Sequence, residues 1–357
     1  MFLALRDLRF ANGRFALMGT VIGLLTLLVV MLSGLTAGLA AESVSAVRGL
    51  PADHIAFDEP PKGQQVSFTG SRVTAEQVRA WNGRDGVASA SPLGIAPTRL
   101  DIGEQKVAVT AFGAEPQGPL APRELTEGGA RVVVSDALAA EAALAAGDTV
   151  RLDGRTYTVA GTVDSASFSH TPVVWLSLSG WQQLNAARDA YASVLALDTT
   201  GKANLAAADT AASTVTRELS GSFAAIGSFS AENKSLTLIR VLLFAVSALV
   251  VGAFFTVWTI QRAPDLAVLK AIGATDRYLV RDALTQALAV LVFGGLAGAG
   301  LAAGLGMLAA RAVPFVVDPG TTLVPLAAMV AVGVMGAALA VRRITSVDPL
   351  AALGAAR

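Results

Sequence analysis

The sequence predicts an α-helical membrane protein with four transmembrane helices and a mixed α+β extracytoplasmic domain inserted between the first and second spans. Three observations carry this. The composition is 53% hydrophobic with only 15% charged residues, and the mean hydropathy of +0.58 lies outside the usual soluble range. The apolar excess is concentrated at the two ends of the chain. Between them, over residues 41–234, prolines, Asp-Gly pairs and alternating apolar and polar positions replace the long apolar runs, as in a folded α+β domain.

Composition also excludes several classes. The formal net charge is zero, so the chain as a whole offers no electrostatic support for a nucleic-acid partner. There is no cysteine, which removes disulfides, thiol nucleophiles and iron–sulfur ligation. The inserted domain must therefore stand on its apolar core, and ~190 residues suffice for that.

In chain order, residues 1–15 carry Arg6, Arg9 and Arg14 among apolar positions and read as an amphipathic helix on the cytoplasmic membrane surface. From Phe15 to Ala40 there is no charge. That run exceeds the ~20 residues needed to cross the hydrocarbon core and the ~7–15 apolar residues of a signal peptide, so residues 16–40 are the first span.

Within the inserted domain, His54–Phe57 and Val66–Phe68 are strand candidates. Thr74 and Gln77 form a capping box that opens a helix towards Trp81, because hydroxyl and amide can satisfy each other's orphan backbone donors. Ile95–Leu100 and Lys106–Phe112 read as a hairpin. Arg131–Val134 is a strand, with Ser135 capping a helix predicted to reach Ala146. Two alternating strands flank the Asp153-Gly154 turn. Val173–Leu176, a helix near Trp181, a strand over Tyr191–Leu197 and an Ala-rich helix from Lys202 to Ser220 complete the domain.

The C-terminal part gives spans over 235–260, 279–311 and 323–341, with a short external loop at 312–322 and a cytoplasmic tail at 342–357. The third span is rich in glycine (Gly294, Gly295, Gly298, Gly300, Gly304, Gly306), and small residues at such spacing let helix backbones approach closely in lipid. Between the second and third spans, residues 261–278 are charged. Arg262, Asp265, Lys270, Asp276 and Arg277 surround Leu266, Leu269 and Ile272, which recur as on an amphipathic helix. Pro264 suits a first helical turn and Gly273 a C-terminal one, so a short helix outside the bilayer is predicted. The positive-inside rule puts that segment and both termini in the cytoplasm and the large domain outside a multi-pass cell membrane protein.

The run R-x-P-D-L-A-V-L-K-A-I-G-A from Arg262 to Ala274, set between two spans, resembles the permease subunits of the MacB/FtsX class of ABC transporters. The likeness extends over nearly the whole chain. The G-D-x-V-x-L and Y-x-V-x-G-x-V pattern from Gly147 to Val163 is also similar to the extracytoplasmic domains of that class. The resemblance implies a coupling helix that docks on a separate ABC ATPase subunit, with Arg262, Asp265, Leu266, Leu269, Lys270 and Gly273 as coupling residues and a further contact near Asp348. It also implies a second copy of the permease, as a homodimer in a complex of two permeases and two ATPases. The chain itself lacks G-x-x-x-x-G-K-[ST], so no loop here cradles nucleotide phosphates in the Walker manner. The resemblance therefore implies that ATP-Mg belongs to the partner and that this chain is a permease rather than an enzyme.

The N-terminal FLALRDLRFANGRFALMG followed by LLVVMLSGLTAGL looks most like the haem-exporter and DevC-type branch of the class. It implies ATP-driven efflux of haem or another amphipathic toxic compound. The alternatives within the class are an FtsX-like permease that transmits force to an extracellular cell-wall hydrolase, and a peptide, antibiotic or lipid exporter. The residues themselves leave two readings open: Arg240 snorkelling to lipid phosphates with Met31 as lipid-facing or core filler, or a ligand slot at the outer leaflet. Arg240 lies about one turn inside the second span, where a charge costs about 2–3 kcal/mol unless it snorkels or finds a partner. Met31 is placed at comparable depth in the first span, and Glu232 just above Arg240. A thioether, a carboxylate and a guanidinium suit haem, with Met31 and Glu232 as candidate iron ligands and Arg240 for the propionates. No catalytic set emerges. His54 and His170 lack metal-ligand spacing, and Ser135, Ser165 and Ser169 lack the G-x-S-x-G context of a nucleophile elbow.

Overall fold

A computed structural model of the chain describes residues 12–126, 130–185 and 189–342. The predicted surface helix at 1–15 falls almost wholly outside these residues, and the tail from 343 onwards does entirely. The chain divides into two compact units, Ala40–Asn233 and a second made of Met1–Leu39 with Lys234–Arg357.

The inserted unit holds ten strands among its described residues. They are β1 (His54–Asp58), β2 (Val87–Ile102), β3 (Gln105–Ala114), β4 (Arg131–Ser135), β5 (Thr149–Leu152), β6 (Arg155–Val163), β7 (Ser167–Phe168), β8 (Thr171–Ser177), β9 (Val194–Thr199) and β10 (Thr214–Glu218). The pairing order is β10-β1-β9-β2-β3-β8-β4-β6-β5, with β7 on β8. The long strand β2 serves two sheets. Its first half pairs with β9 from Val87 to Leu93, and its second half pairs with β3 from Gly94 to Ile102. Strand β5 returns to β2 at Leu100 and Asp101, so the second sheet closes on itself. Most neighbours are antiparallel, but β3 with β8 and β4 with β6 are parallel. The result is a mixed α+β domain.

Short helices cover the sheets, and their caps follow from sequence. Helix α2 (Ala75–Asn82) opens on the predicted box: Thr74 N–H donates to Gln77 Oε1 at 2.9 Å and Gln77 N–H to Thr74 Oγ1 at 3.3 Å. Ser135 caps α3 (Asp136–Ala142) and Ser177 caps α4 (Leu178–Leu184). Trp181 of α4 packs on Gly94 and Gly113, which face each other across β2 and β3, and a Cβ at either glycine would strike the Trp181 side chain.

Three sequence expectations are corrected here. Val66–Phe68 is not a strand. Phe68 instead fills the core from a loop, fully buried, its ring 4.9 Å from Phe57 and 5.7 Å from Phe168. The helix predicted to Ala146 ends at Ala142, because Ala143 takes a left-handed conformation at φ 51°. The Ala-rich helix predicted to Ser220 is α5 (Leu205–Ala212) only, and Ser213 at φ 53° turns the chain into β10. β-branched Thr214, Val215 and Thr216 favour a strand there, and Asp209 fixes the reversal by accepting from Thr214 Oγ1 at 2.7 Å and Thr216 N–H at 3.0 Å. A short α6 (Leu219–Ser222) follows.

The four candidate spans lie in α1 (Asn12–Arg48), α7 (Gly227–Ala271), α8 (Asp276–Ala309) and α9 (Pro319–Arg342). In the membrane unit, α1 and α8 meet through glycine. Gly294 lies on Gly19, and Gly298 on the Gly23 carbonyl, as the small-residue spacing of the third span predicts. Met18, Ile22, Val251, Phe255, Leu291 and Ala337 form a buried cluster from all four helices. The chain between α8 and α9 returns onto α1. Phe315 packs against Gly34 and Gly306, Pro314 against Gly38, and Val316 N–H donates to Gly34 O at 3.1 Å.

Candidate functional site

The segment singled out for coupling lies at the end of α7. The sequence places a separate helix over 261–278, but α7 runs without interruption from Gly227 to Ala271. Pro264 removes its own N–H bond to the preceding turn but does not start a new element. The helix ends in a tight turn: Ile272 N–H donates to Val268 O and Gly273 N–H to Lys270 O, both at 3.1 Å. Gly273 sits at φ 104°, a conformation that glycine adopts without the Cβ clash other residues meet. Thr275 then caps α8, its hydroxyl accepting from Tyr278 N–H at 3.3 Å.

Two side chains at this turn were less visible from sequence. Val268 is 57% exposed and Ile272 77% exposed, and their i, i+4 spacing puts them on one helix face. They form an apolar edge beside the turn. The sequence pattern singles out Leu266, Leu269 and Ile272, and the i, i+4 spacing of Val268 and Ile272 is equally legible in it. Lys270 makes an ion pair with Asp276, Nζ to Oδ1 2.8 Å, which ties the end of α7 to the start of α8. The side chains of Arg262, Asp265, Leu266 and Leu269 lie outside the described residues.

The three residues named for a ligand slot are distributed differently. Met31 is partly buried against Val30, Ala299, Ala302 and Leu326, a cluster whose members come from α1, α8 and α9 and none from α7. Arg240, on α7, buries its Nε without a hydrogen-bond partner among the described residues, an arrangement that costs free energy unless a ligand or lipid supplies an acceptor. Glu232 belongs to the inserted unit, where it is already engaged. His170 Nε2 lies 2.9 Å from Glu232 Oε1 and 2.9 Å from Ser43 Oγ, while Nδ1 lies 3.5 Å from Glu42 Oε2. His170 thus joins Glu42 on α1 to Glu232 on α7. The only sequence hint was that His170 is one of just two histidines. Among the described residues no group of His, Asp and Glu is arranged to hold a metal ion.

Comparison with known proteins agrees with this layout. Residues 15–216 match the family described as the MacB-like periplasmic core domain. Residues 237–349 match the FtsX-like permease C-terminal family. The chain belongs to the MacB/FtsX class of ABC transporter permeases. It is a multi-pass membrane permease subunit, and such a subunit implies an ATPase partner.

Among relatives of this permease, a Staphylococcus haemolyticus protein named as the permease HrtB of a hemin transport system is 25% identical, with 99% of each chain covered. An uncharacterised ABC transporter permease of Mycobacterium tuberculosis is 29% identical, again over 99% of each chain. Of solved structures, the periplasmic region of MacB from Actinobacillus actinomycetemcomitans aligns with a TM-score of 0.35 and 10% identity, over 51% of this permease and 94% of that chain.

Proposed function

We propose that this permease is the membrane subunit of an ATP-driven exporter of haem or another amphipathic compound, working as a homodimer with two copies of a separate ATPase. The observation that carries the coupling is the apolar edge of Val268 and Ile272 beside a turn held by Gly273 and the Lys270–Asp276 pair. A docking partner that pushes there meets a fixed surface. With Arg277 and Arg281 nearby and Arg342 and Arg343 at the end of the fourth span, the positive-inside rule assigns this face to the cytoplasm.

The homodimer reading rests on α7. Only 17% of its most apolar window is buried, the least of the four spans, and Leu238, Val241, Leu242, Val246 and Leu249 are all exposed. A second copy would cover that face. The substrate reading rests on the name of the staphylococcal relative and on the unpartnered Nε of Arg240, which a propionate would satisfy. Met31, on another helix of the same unit, remains the candidate iron ligand. Glu232 would have to leave His170 to take that role.

The test is an absorption titration of purified permease with haemin, comparing the parent with Met31→Ala and Arg240→Ala. The expected result is a saturable Soret shift that weakens in both variants. No saturable shift in the parent would remove haem as substrate. The second reading, force transmission without a substrate, is favoured by the close glycine contact of Gly298 with Gly23, which leaves no slot between α1 and α8 at that level.

A further inference from the structure

The first turns of α8 carry a feature that coupling does not use. Arg277, Tyr278 and Arg281 are exposed, and Leu284 and Leu288 continue the line of the arginines inward at steps of three and four, so Arg277, Arg281, Leu284 and Leu288 share one helix face. Val334 of α9 forms the opposite wall. Together they line a groove of about 940 Å³, cationic at one end and mostly apolar along the rest, where Thr285 is the one polar side chain. Among the described residues neither guanidinium has a carboxylate partner. Asp276 is held by Lys270 at 2.8 Å, and Asp282 accepts from Gln286 Nε2 at 2.8 Å.

We propose that this groove binds one anionic phospholipid. Its phosphate would lie between Arg277 and Arg281, where charge-assisted hydrogen bonds are strongest. The ring of Tyr278 would sit at the headgroup level that aromatic residues favour in membranes. An acyl chain would run along Leu284, Leu288 and Val334. Arg281 to Leu288 spans ~10 Å of helix, enough to carry the chain from the headgroup into the hydrocarbon. The choice of lipid over a docked protein follows from position. Leu284 and Leu288 lie about two to three turns inside the candidate span Asp276–Ala309, and Val334 inside Pro319–Ala340, so the apolar half of the groove would face membrane, where a cytoplasmic subunit does not reach. A small soluble anion would satisfy the arginines but not the apolar wall.

The test is native mass spectrometry of the delipidated full-length permease titrated with dioleoyl phosphatidylglycerol or dioleoyl phosphatidylcholine, with glycerol phosphate as competitor. The parent should retain one phosphatidylglycerol per chain in preference to phosphatidylcholine, and glycerol phosphate should not displace it. The Arg277→Gln/Arg281→Gln variant should lose that preference by at least about tenfold, whereas Arg277→Lys/Arg281→Lys should keep most of it. Val334→Trp, which fills the groove while leaving both charges, should also lose it. Equal retention of both lipids by the parent, displacement by glycerol phosphate, or an unchanged preference in the glutamine or tryptophan variant would each overturn the proposal. So would cross-linking of the ATPase subunit, rather than lipid, to a photoreactive residue at position 284.

Discussion

Lys270 Nζ lies 2.8 Å from Asp276 Oδ1, across the turn in which α7 becomes α8. Both side chains are partly exposed, so the pair contributes only ~0.2–1 kcal/mol to stability. Its effect is on the shape of the turn. Lys270→Glu would set two carboxylates against each other there, and co-purification of the ATPase should fall several-fold with little change in thermal stability. The exchange Lys270→Asp/Asp276→Lys should restore it. Ile272→Asp should lose the ATPase outright, because 77% of that residue already faces outwards. Undiminished ATPase recovery with Ile272→Asp would sink the docking assignment.

The glycines of α8 should separate into two classes. A Cβ at Gly298 collides with the backbone of Gly23, whereas Gly300 has nothing within 4 Å. Gly298→Val should therefore destabilise the membrane unit by about 1–3 kcal/mol, the usual cost of overpacking, and give aggregated protein on size exclusion. Gly300→Ala should behave as the parent, and the opposite ranking would refute the packing described.

Because the chain has no cysteine, single introduced thiols report topology directly. Lys62→Cys, exposed in the inserted domain, should react with an impermeant maleimide in intact cells. Ile272→Cys should react only after the membrane is opened. Reversed labelling would invert the orientation drawn from the arginines.

His170 holds Glu42 and Glu232 from two different helices. Replacing it with alanine removes both contacts and leaves Ser43 without that partner, a loss of about 1–2 kcal/mol. Hydrogen exchange should speed up around residues 40–44 and 228–233 while β2 and β9 stay protected. Unchanged exchange at both helix segments would show that the bridge holds nothing.

Alkaline pH should weaken the inserted domain. Burial pushes the Tyr157 hydroxyl above its ordinary pKa of 10.0, against the opposing pull of Arg155. Tyr191 is likewise raised, by burial first and then by the charge of Glu115 and a hydrogen bond to it. The folded state thus keeps phenolic protons that the unfolded state releases. The sign of the linkage is that stability is full below about pH 10 and falls as pH rises towards the folded values. Melting of the full chain, followed by tryptophan fluorescence at pH 9 and pH 11, should show a smaller drop for Tyr157→Phe/Tyr191→Phe than for the parent.

Much of this fold was written in local chemistry. The charge-free run after Arg14, the Thr74–Gln77 box, the Asp153-Gly154 turn and the glycine spacing of α8 each act within a few residues, so the sequence alone exposes them. What escaped it depends on distant partners. Phe68 reads as a strand residue until Phe57 and Phe168 surround it. The strand β10 looks like the end of an alanine-rich helix until β1 and Asp209 claim it. The continuity of α7 through Pro264 is invisible to a rule that treats proline as a first-turn residue. Of the site residues, the charged break at 261–278 is legible because charges interrupt apolar spans, but the separate helix expected there is the end of α7. The engagement of Glu232 by His170 is not legible, because those two residues lie far apart in sequence and meet only through the fold.

The chain between the third and fourth spans is short and turn-rich, which makes it a tempting place for an epitope tag or a fluorescent fusion. Phe315 argues against that choice. Its ring packs on Gly34 and Gly306 at once, and Val316 is hydrogen-bonded to Gly34, so this stretch is a keystone rather than a spare tether. An insertion beside it would pry the third and fourth helices from the first. Reporter fusions are better placed at Gly63 or Gly103, turn glycines whose Cβ positions meet no neighbour within 4 Å.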